Sequence, residues 1–116
     1  NNMNRKYAEE WLNKLKTYWF NKDIESAVSL FTKTTFYQET PFMRPYTTIQ
    51  EINQEWQHIK DEDIESIDIK LLAIDGDTVI AEWTLKQNSQ EYDGIYEIKF
   101  NYNLECIYFK SWEMMK

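Results

Sequence analysis

The chain has 116 residues and a formal net charge of −7; it is 42% hydrophobic and holds five Trp, eight Tyr and six Phe against two Gly and two Pro. This balance reads as one globular domain, residues 1–116, with a real core rather than a disordered chain, and the acid excess without a basic patch disfavours phosphate-backbone binding. No apolar run approaches the ~20 residues that span a bilayer, the N-terminal NNMNRKYAEEW has no signal-peptide core, and the lone Cys106 cannot pair internally; a cytoplasmic protein is expected, with neither nucleic acid nor membrane as partner.

From Asn4 to Phe20, Tyr7, Ala8, Trp11, Leu12, Leu15, Tyr18 and Trp19 recur at helical spacing with charged residues between them, which predicts a long amphipathic helix. Asp23 can cap a second, short helix carrying Ile24, Ala27, Val28 and Phe31. The run TTFYQ then reads as a short strand in which Phe36 and Tyr37 project to opposite faces. Glu39 to Thr48, ETPFMRPYTT, holds both prolines and predicts a stiff, aromatic-bearing loop of the kind that borders sites. Thr48 and Glu51 have capping-box spacing ahead of a third helix with Ile49, Ile52, Trp56 and Ile59 on one stripe.

From Ile64 the period becomes two. Ile67, Ile69 and Leu71 share a face, Asp75-Gly76 supplies a hairpin turn, and Val79, Ala81, Trp83 and Leu85 share a face of the next strand. A polar turn over Gln87 to Gln90 leads to a strand with Tyr96, Ile98 and Phe100 on one face and Ile95, Glu97 and Lys99 on the other. After Asn101 to Asn103 comes the last strand. Ile107 and Phe109 are expected to face the helices, and Tyr108, Lys110 and Trp112 to lie outside. Three helices and a short strand followed by four long strands predict an α+β domain, its helices packed on one face of a mostly antiparallel sheet.

In that order the chain resembles the nuclear transport factor 2-like superfamily and its SnoaL-like group. The resemblance rests on Trp11 to Phe31 as opening helices, Phe36 to Pro45, Ile49 to Trp56, the turn Ala73-Ile74-Asp75-Gly76-Asp77 leading to Ala81-Glu82-Trp83, and Asp93-Gly94-Ile95 with Phe100 and Ile107. Thr47 or Thr48 stands where the family often has Gly, and Asn101 to Leu104 where it often has an Asp-Gly turn. The resemblance implies a cystatin-like cone, a curved sheet around a long helix with an apolar pocket at one end, and pairing through the outer sheet face. Members include isomerases, cyclases, dehydratases, epoxide hydrolases and non-catalytic binders, so it selects no reaction.

Ketosteroid isomerase, a member of the superfamily, works with an Asp base and an oxyanion hole of Tyr and protonated Asp. Laid on that pattern, the tyrosine falls on Leu15, the base on Thr40 with Glu39 adjacent, and the acid on Tyr96. Two groups are missing, which argues against a steroid isomerase of that mechanism. The Asp, Arg, Asp set of the superfamily's epoxide hydrolases is not found either, since Arg5 and Arg44 are the only arginines and neither is on a pocket strand.

Three catalytic candidates remain. Glu39 stands at a strand end beside the proline loop, where burial would raise its pKa towards a useful base; otherwise it is a solvated loop acid. Asp93 precedes Gly94 near a strand start and is either a proton-transfer group or a turn residue. Tyr96 keeps a hydrogen-bond donor on the pocket face. His58, the only histidine, falls off the apolar stripe of the third helix and reads as a surface residue at a helix C-terminus. No ligand spacing for a metal, Gly-rich phosphate loop or nucleophile triad is present, so no cofactor is expected.

Trp19, Phe36, Phe42, Tyr46, Trp56, Trp83, Tyr96 and Phe100 are too many large rings to close-pack on one concave sheet, and are expected to line a ligand cavity. Tyr108 and Trp112, on the other face, are expected to form a homodimer surface. Three functions follow: a SnoaL-like binder of a small, largely apolar molecule; an enzyme of lyase or isomerase type using Glu39 or Asp93, with Tyr96 or Tyr46 polarising an oxygen; and a protein-binding module using the outer sheet face. A shifted carboxylate inside the cavity separates the first two, and a filled interior marks the third.

Overall fold

The computed structural model describes residues 3–116, so Asn1 and Asn2 at the start of the polar N-terminal run lie outside the described residues. Helix α1 spans Arg5–Phe20, capped by Asn4, whose side chain accepts from the Tyr7 N–H. Its buried stripe is Ala8, Trp11, Leu12 and Leu15, the i, i+3, i+4, i+7 set that faces a core. Each of the larger three removes enough apolar surface to contribute about 1.5–3 kcal/mol. Helix α2, Ile24–Ser29, starts at the Asp23 cap. It stops short of Phe31, which is fully buried in the turn beyond.

Helix α3, Ile49–Trp56, starts at Thr48, whose Oγ1 accepts from the Glu51 N–H at 3.3 Å. The return bond of the box goes to the Thr47 N–H at 3.0 Å, one residue earlier than the usual arrangement. A 3₁₀ turn, Gln57–Asp61, follows directly.

The strands are β1 Phe36–Gln38, β2 Ile64–Asp75, β3 Thr78–Gln87, β4 Gln90–Phe100 and β5 Cys106–Met115. They form one sheet in the order β1-β5-β4-β3-β2, with β1 parallel to β5 and every other pair antiparallel. Two-residue turns connect the middle strands. Gly76 at φ 60° serves the first, and Asn88 and Ser89 at φ 53° and 63° serve the second, the all-positive geometry that matches the twist of a hairpin.

Helices and inner sheet face enclose the core. Trp11 makes edge contacts with Phe31 and Phe100 at ring separations of 5.8 and 5.3 Å. On β4 the buried residues are Gly94, Tyr96, Ile98 and Phe100, as the alternation predicts.

Two expectations change. A bulge shifts the β4–β5 register between Lys99 and Phe100, so Cys106 pairs with Phe100 and is buried, while Ile107 lies only partly buried outside the core cluster. A bulge inserts a residue and so breaks the alternation used to place Ile107. The Asp93-Gly94 pair is not a turn either, but lies inside β4 opposite Thr84 and Trp83.

Candidate functional site

One end of the inner face is not filled. Between α1, α3, the 3₁₀ turn and strands β1, β3, β4 and β5 lies a cavity of about 220 Å³. That is room for roughly seven waters at ~30 Å³ each, and less than the ~300–1,000 Å³ of drug-sized pockets.

Its wall is largely aromatic. Trp19 meets Trp56 edge-on and leans on Trp83, with ring separations of 6.3 and 6.2 Å. Trp83 stacks on Tyr96, Tyr96 packs on Phe109, and Phe109 stacks on Tyr37. The Trp83 indole crosses β4 above Gly94 to donate from Nε1 to Ser111 Oγ on β5 at 2.9 Å. Trp56, only 5% exposed, has an indole N–H without an acceptor among the described residues. A buried donor without a partner costs ~1–3 kcal/mol, which a ligand or water acceptor would recover.

Four carboxylates reach this space: Glu39, Glu55, Glu62 and Glu113. Glu39 leaves the end of β1 with its carboxyl enclosed, although the residue as a whole keeps some contact with solvent. The Tyr37 hydroxyl donates to Glu39 Oε2 at 2.6 Å. Burial pushes the Glu39 carboxyl up to about 7; the Tyr37 hydrogen bond opposes that shift, and Glu55 and Glu113 add to it. Partial burial raises the Glu113 carboxyl from its ordinary value, although the residue as a whole is exposed at the cavity mouth. Tyr46 donates to Glu55 Oε1 at 2.6 Å. The Tyr96 hydroxyl has no hydrogen-bond partner among the described residues, and burial, then Glu39 and Glu113, hold its pKa well above the ordinary value. It stays a neutral donor.

The rim is tied down on two sides. Lys22 Nζ, in the turn after α1, donates to the carbonyls of Lys60 and Glu62. The Asn88 side chain, in the β3–β4 turn, accepts from the Asp63 N–H and donates to the Glu62 carboxylate.

Of the eight aromatic residues expected here, the structure brings together Trp19, Trp56, Trp83 and Tyr96. Phe36 does not line the cavity, for its ring stacks on Tyr108 at 4.5 Å on the outer face, and Tyr37 takes the inner place. The register Tyr37↔Phe109 sets this choice. Phe42, at φ 73° in the proline loop, is fully exposed. Tyr46 stands behind Tyr37, with its rings 6.3 Å apart, and holds Glu55 from outside the cavity. Phe100 is core against Trp11. Asp93 is exposed on the outer face, where a hydrogen bond to it raises the pKa of Glu82. His58 is exposed as expected, yet it stands on the cavity rim.

Tyr37, Glu55, Phe109, Ser111 and Glu113 line the cavity without having been singled out as its lining. Ser111 and Glu113 share the parity of Phe109 along β5, a signal usable once Phe109 is placed inward. No group of three or more His, Cys, Asp or Glu in metal-holding geometry occurs among the described residues. No helix among them is long and apolar enough to cross a membrane.

Three helices packed on this five-stranded sheet, with an aromatic cavity at one end, define an NTF2-like architecture. Solved structures share it. A nuclear transport factor 2-like protein of unknown function from Burkholderia xenovorans aligns with a TM-score of 0.77 at 11% identity, covering 93% of this chain and 83% of its own. A steroid delta-isomerase from Pseudomonas aeruginosa aligns at 0.70 with 17% identity, covering 93% and 80%. A protein proposed to be a SnoaL-like polyketide cyclase, from Shewanella denitrificans, aligns at 0.69 with 11% identity, covering 91% and 89%. No family model and no curated protein matches the sequence. The fold is therefore the nuclear transport factor 2-like, cystatin-like one, and identities this low speak to fold alone.

Proposed function

We propose that the protein is an enzyme of lyase or isomerase type that moves a proton on a small, largely apolar substrate, with Glu39 as the proton-transfer group. The observation that carries this is the Glu39 carboxyl inside the cavity with a pKa of about 7. A base is most useful when its pKa lies near the working pH. Tyr37 holds the carboxylate in position, and the unpartnered Tyr96 hydroxyl can donate to an oxygen that gains charge as the proton leaves. Asp93 drops out of this scheme because it is on the outer face.

The test is proton exchange. Small ketones that fit ~220 Å³, incubated in deuterated water, are expected to exchange α-hydrogens faster with the protein than without it. Glu39→Gln is expected to cut that rate about 10²–10⁴-fold. Binding without exchange would instead favour the binder, the second reading, which the unsatisfied Trp56 N–H supports. The open cavity counts against the third, in which the interior is filled.

The same proposal keeps a cytoplasmic location, consistent with a free, buried Cys106, and a homodimer through the outer sheet face. Trp112 is 39% exposed there and Met114 73%, on the strand that also carries Tyr108 of the Phe36–Tyr108 stack. Sedimentation at micromolar concentration is expected to give twice the chain mass, and a monomer would remove the dimer.

A further inference from the structure

We propose that the molecule this cavity takes is a small organic cation, an ammonium group on a compact apolar body. The inference rests on the cavity being the binding site and adds the charge of what enters it. Four carboxylates line the space, and no Lys or Arg does. Five ion pairs elsewhere on the described surface join Arg5 to Glu9, Lys16 to Asp68, Arg44 to Glu51, Lys86 to Glu65 and Lys116 to Glu91. None engages a cavity carboxylate. Lysines are thus available to this protein, and Lys22, which reaches the rim segment, is spent on backbone carbonyls.

The rings complete the site. A cation is attracted to aromatic faces, most strongly to Trp, and more so once desolvated. Trp19, Trp56, Trp83 and Tyr96 provide such surfaces beside Glu39 and Glu113. An anion would meet the negative charge of these carboxylates once Glu39 is ionised, and a neutral molecule would leave the enclosed Glu39 carboxylate without a counter-charge. A metal ion is the poorer occupant, because the carboxylates do not converge as a metal-ligand set among the described residues. The Trp56 N–H and Tyr96 O–H, both on residues 5% exposed and lacking protein acceptors, call for a lone-pair atom on the same ligand.

Charge linkage gives the inference a signature. Tyr37 on β1, Glu55 on α3, Tyr96 on β4 and Glu113 on β5 face Glu39, with His58 and Glu62 on the rim. Protonated Glu39 offers a cation no charge. Because its pKa is raised to about 7, a permanent cation must bind more tightly as pH rises through that value, and must displace a proton on binding.

Three soluble probes of one shape separate the possibilities by NMR titration of the full chain: choline, 3,3-dimethylbutan-1-ol and 3,3-dimethylbutanoate. At about pH 8, choline is expected to bind at least ~10-fold tighter than the neutral alcohol, with the anion weakest. That ratio should shrink at about pH 6 and collapse towards one in Glu39→Gln/Glu113→Gln. Far-ultraviolet circular dichroism checks that the variant is folded. A neutral alcohol that binds as tightly as choline, or an anion that binds best, overturns the cation and leaves the cavity reading intact. A choline preference that the double variant keeps places the cation elsewhere and overturns the proposal. No binding of any probe to folded protein at ~50 mM, well beyond a weak millimolar affinity, overturns both.

Discussion

Glu39→Gln is expected to make the protein more stable at pH 8 while leaving its stability at acid pH nearly unchanged. In the unfolded chain the carboxyl titrates near 4.5, and in the folded chain near 7. Below both values it is protonated in either state and costs nothing. As pH rises between them, the unfolded state loses its proton first, so stability falls; above about 7 the full cost is present. A shift of this size is worth up to about 3 kcal/mol at ~1.4 kcal/mol per pKa unit. Gln removes the charge yet keeps an oxygen for the Tyr37 hydroxyl. Urea midpoints measured from about pH 5 to 8 should therefore slope downward for the parent and stay flat for the variant across this window. Parallel curves would show that the Glu39 carboxyl is solvated, and its role as a base near neutrality would lapse with that result.

Gly94→Ala is expected to destabilise the fold by about 3 kcal/mol or more. A methyl group at this position would come within 3.0 Å of the Trp112 carbonyl and of the Trp83 ring. The carbonyl belongs to the neighbouring strand and cannot retreat without opening the β4–β5 ladder. The indole cannot retreat without losing its bond to Ser111. Overpacking costs ~1–3 kcal/mol and sometimes more; the Trp112 carbonyl is held by the ladder, and the Trp83 ring, although it borders the cavity, by its bond to Ser111. Thermal unfolding should show a drop of ten degrees or so. A variant with parental stability would mean that the Trp83 ring swings aside freely.

These two residues show how far the sequence could be read. Long strands were legible because a period of two repeats over ten residues, and caps were legible because Asp23 and Thr48 stand just ahead of apolar stripes. Phe36 was misplaced because β1 has only three residues. Alternation there says that Phe36 and Tyr37 diverge, and only pairing with β5 says which goes inward. Ile107 was misplaced by one inserted residue. Gly94 read as half of a turn pair because Asp-Gly is common in turns, whereas its small size serves a tryptophan two strands from that ring's hydrogen-bond partner.

The site was half legible for a related reason. Trp19, Trp56, Trp83 and Tyr96 belong to periodic elements, so their direction could be inferred. Glu39 could be named as a candidate from its place at a strand end beside a loop, but its enclosure depends on α3 and β5, which are distant in sequence. Glu113 follows the parity of Phe109, yet nothing local says that β5 runs far enough beside the cavity for that acid to count.

The ties at the rim bear on the rate of exchange. Lys22 and Asn88 both fasten the segment that carries Glu62, so that stretch of the rim is held by the protein's own bonds. For the ligand proposed above, a stretch held in advance would cost less binding energy to order than a loose flap would. Admission of such a ligand would then depend on its girth, and the length of its stay on its grip inside.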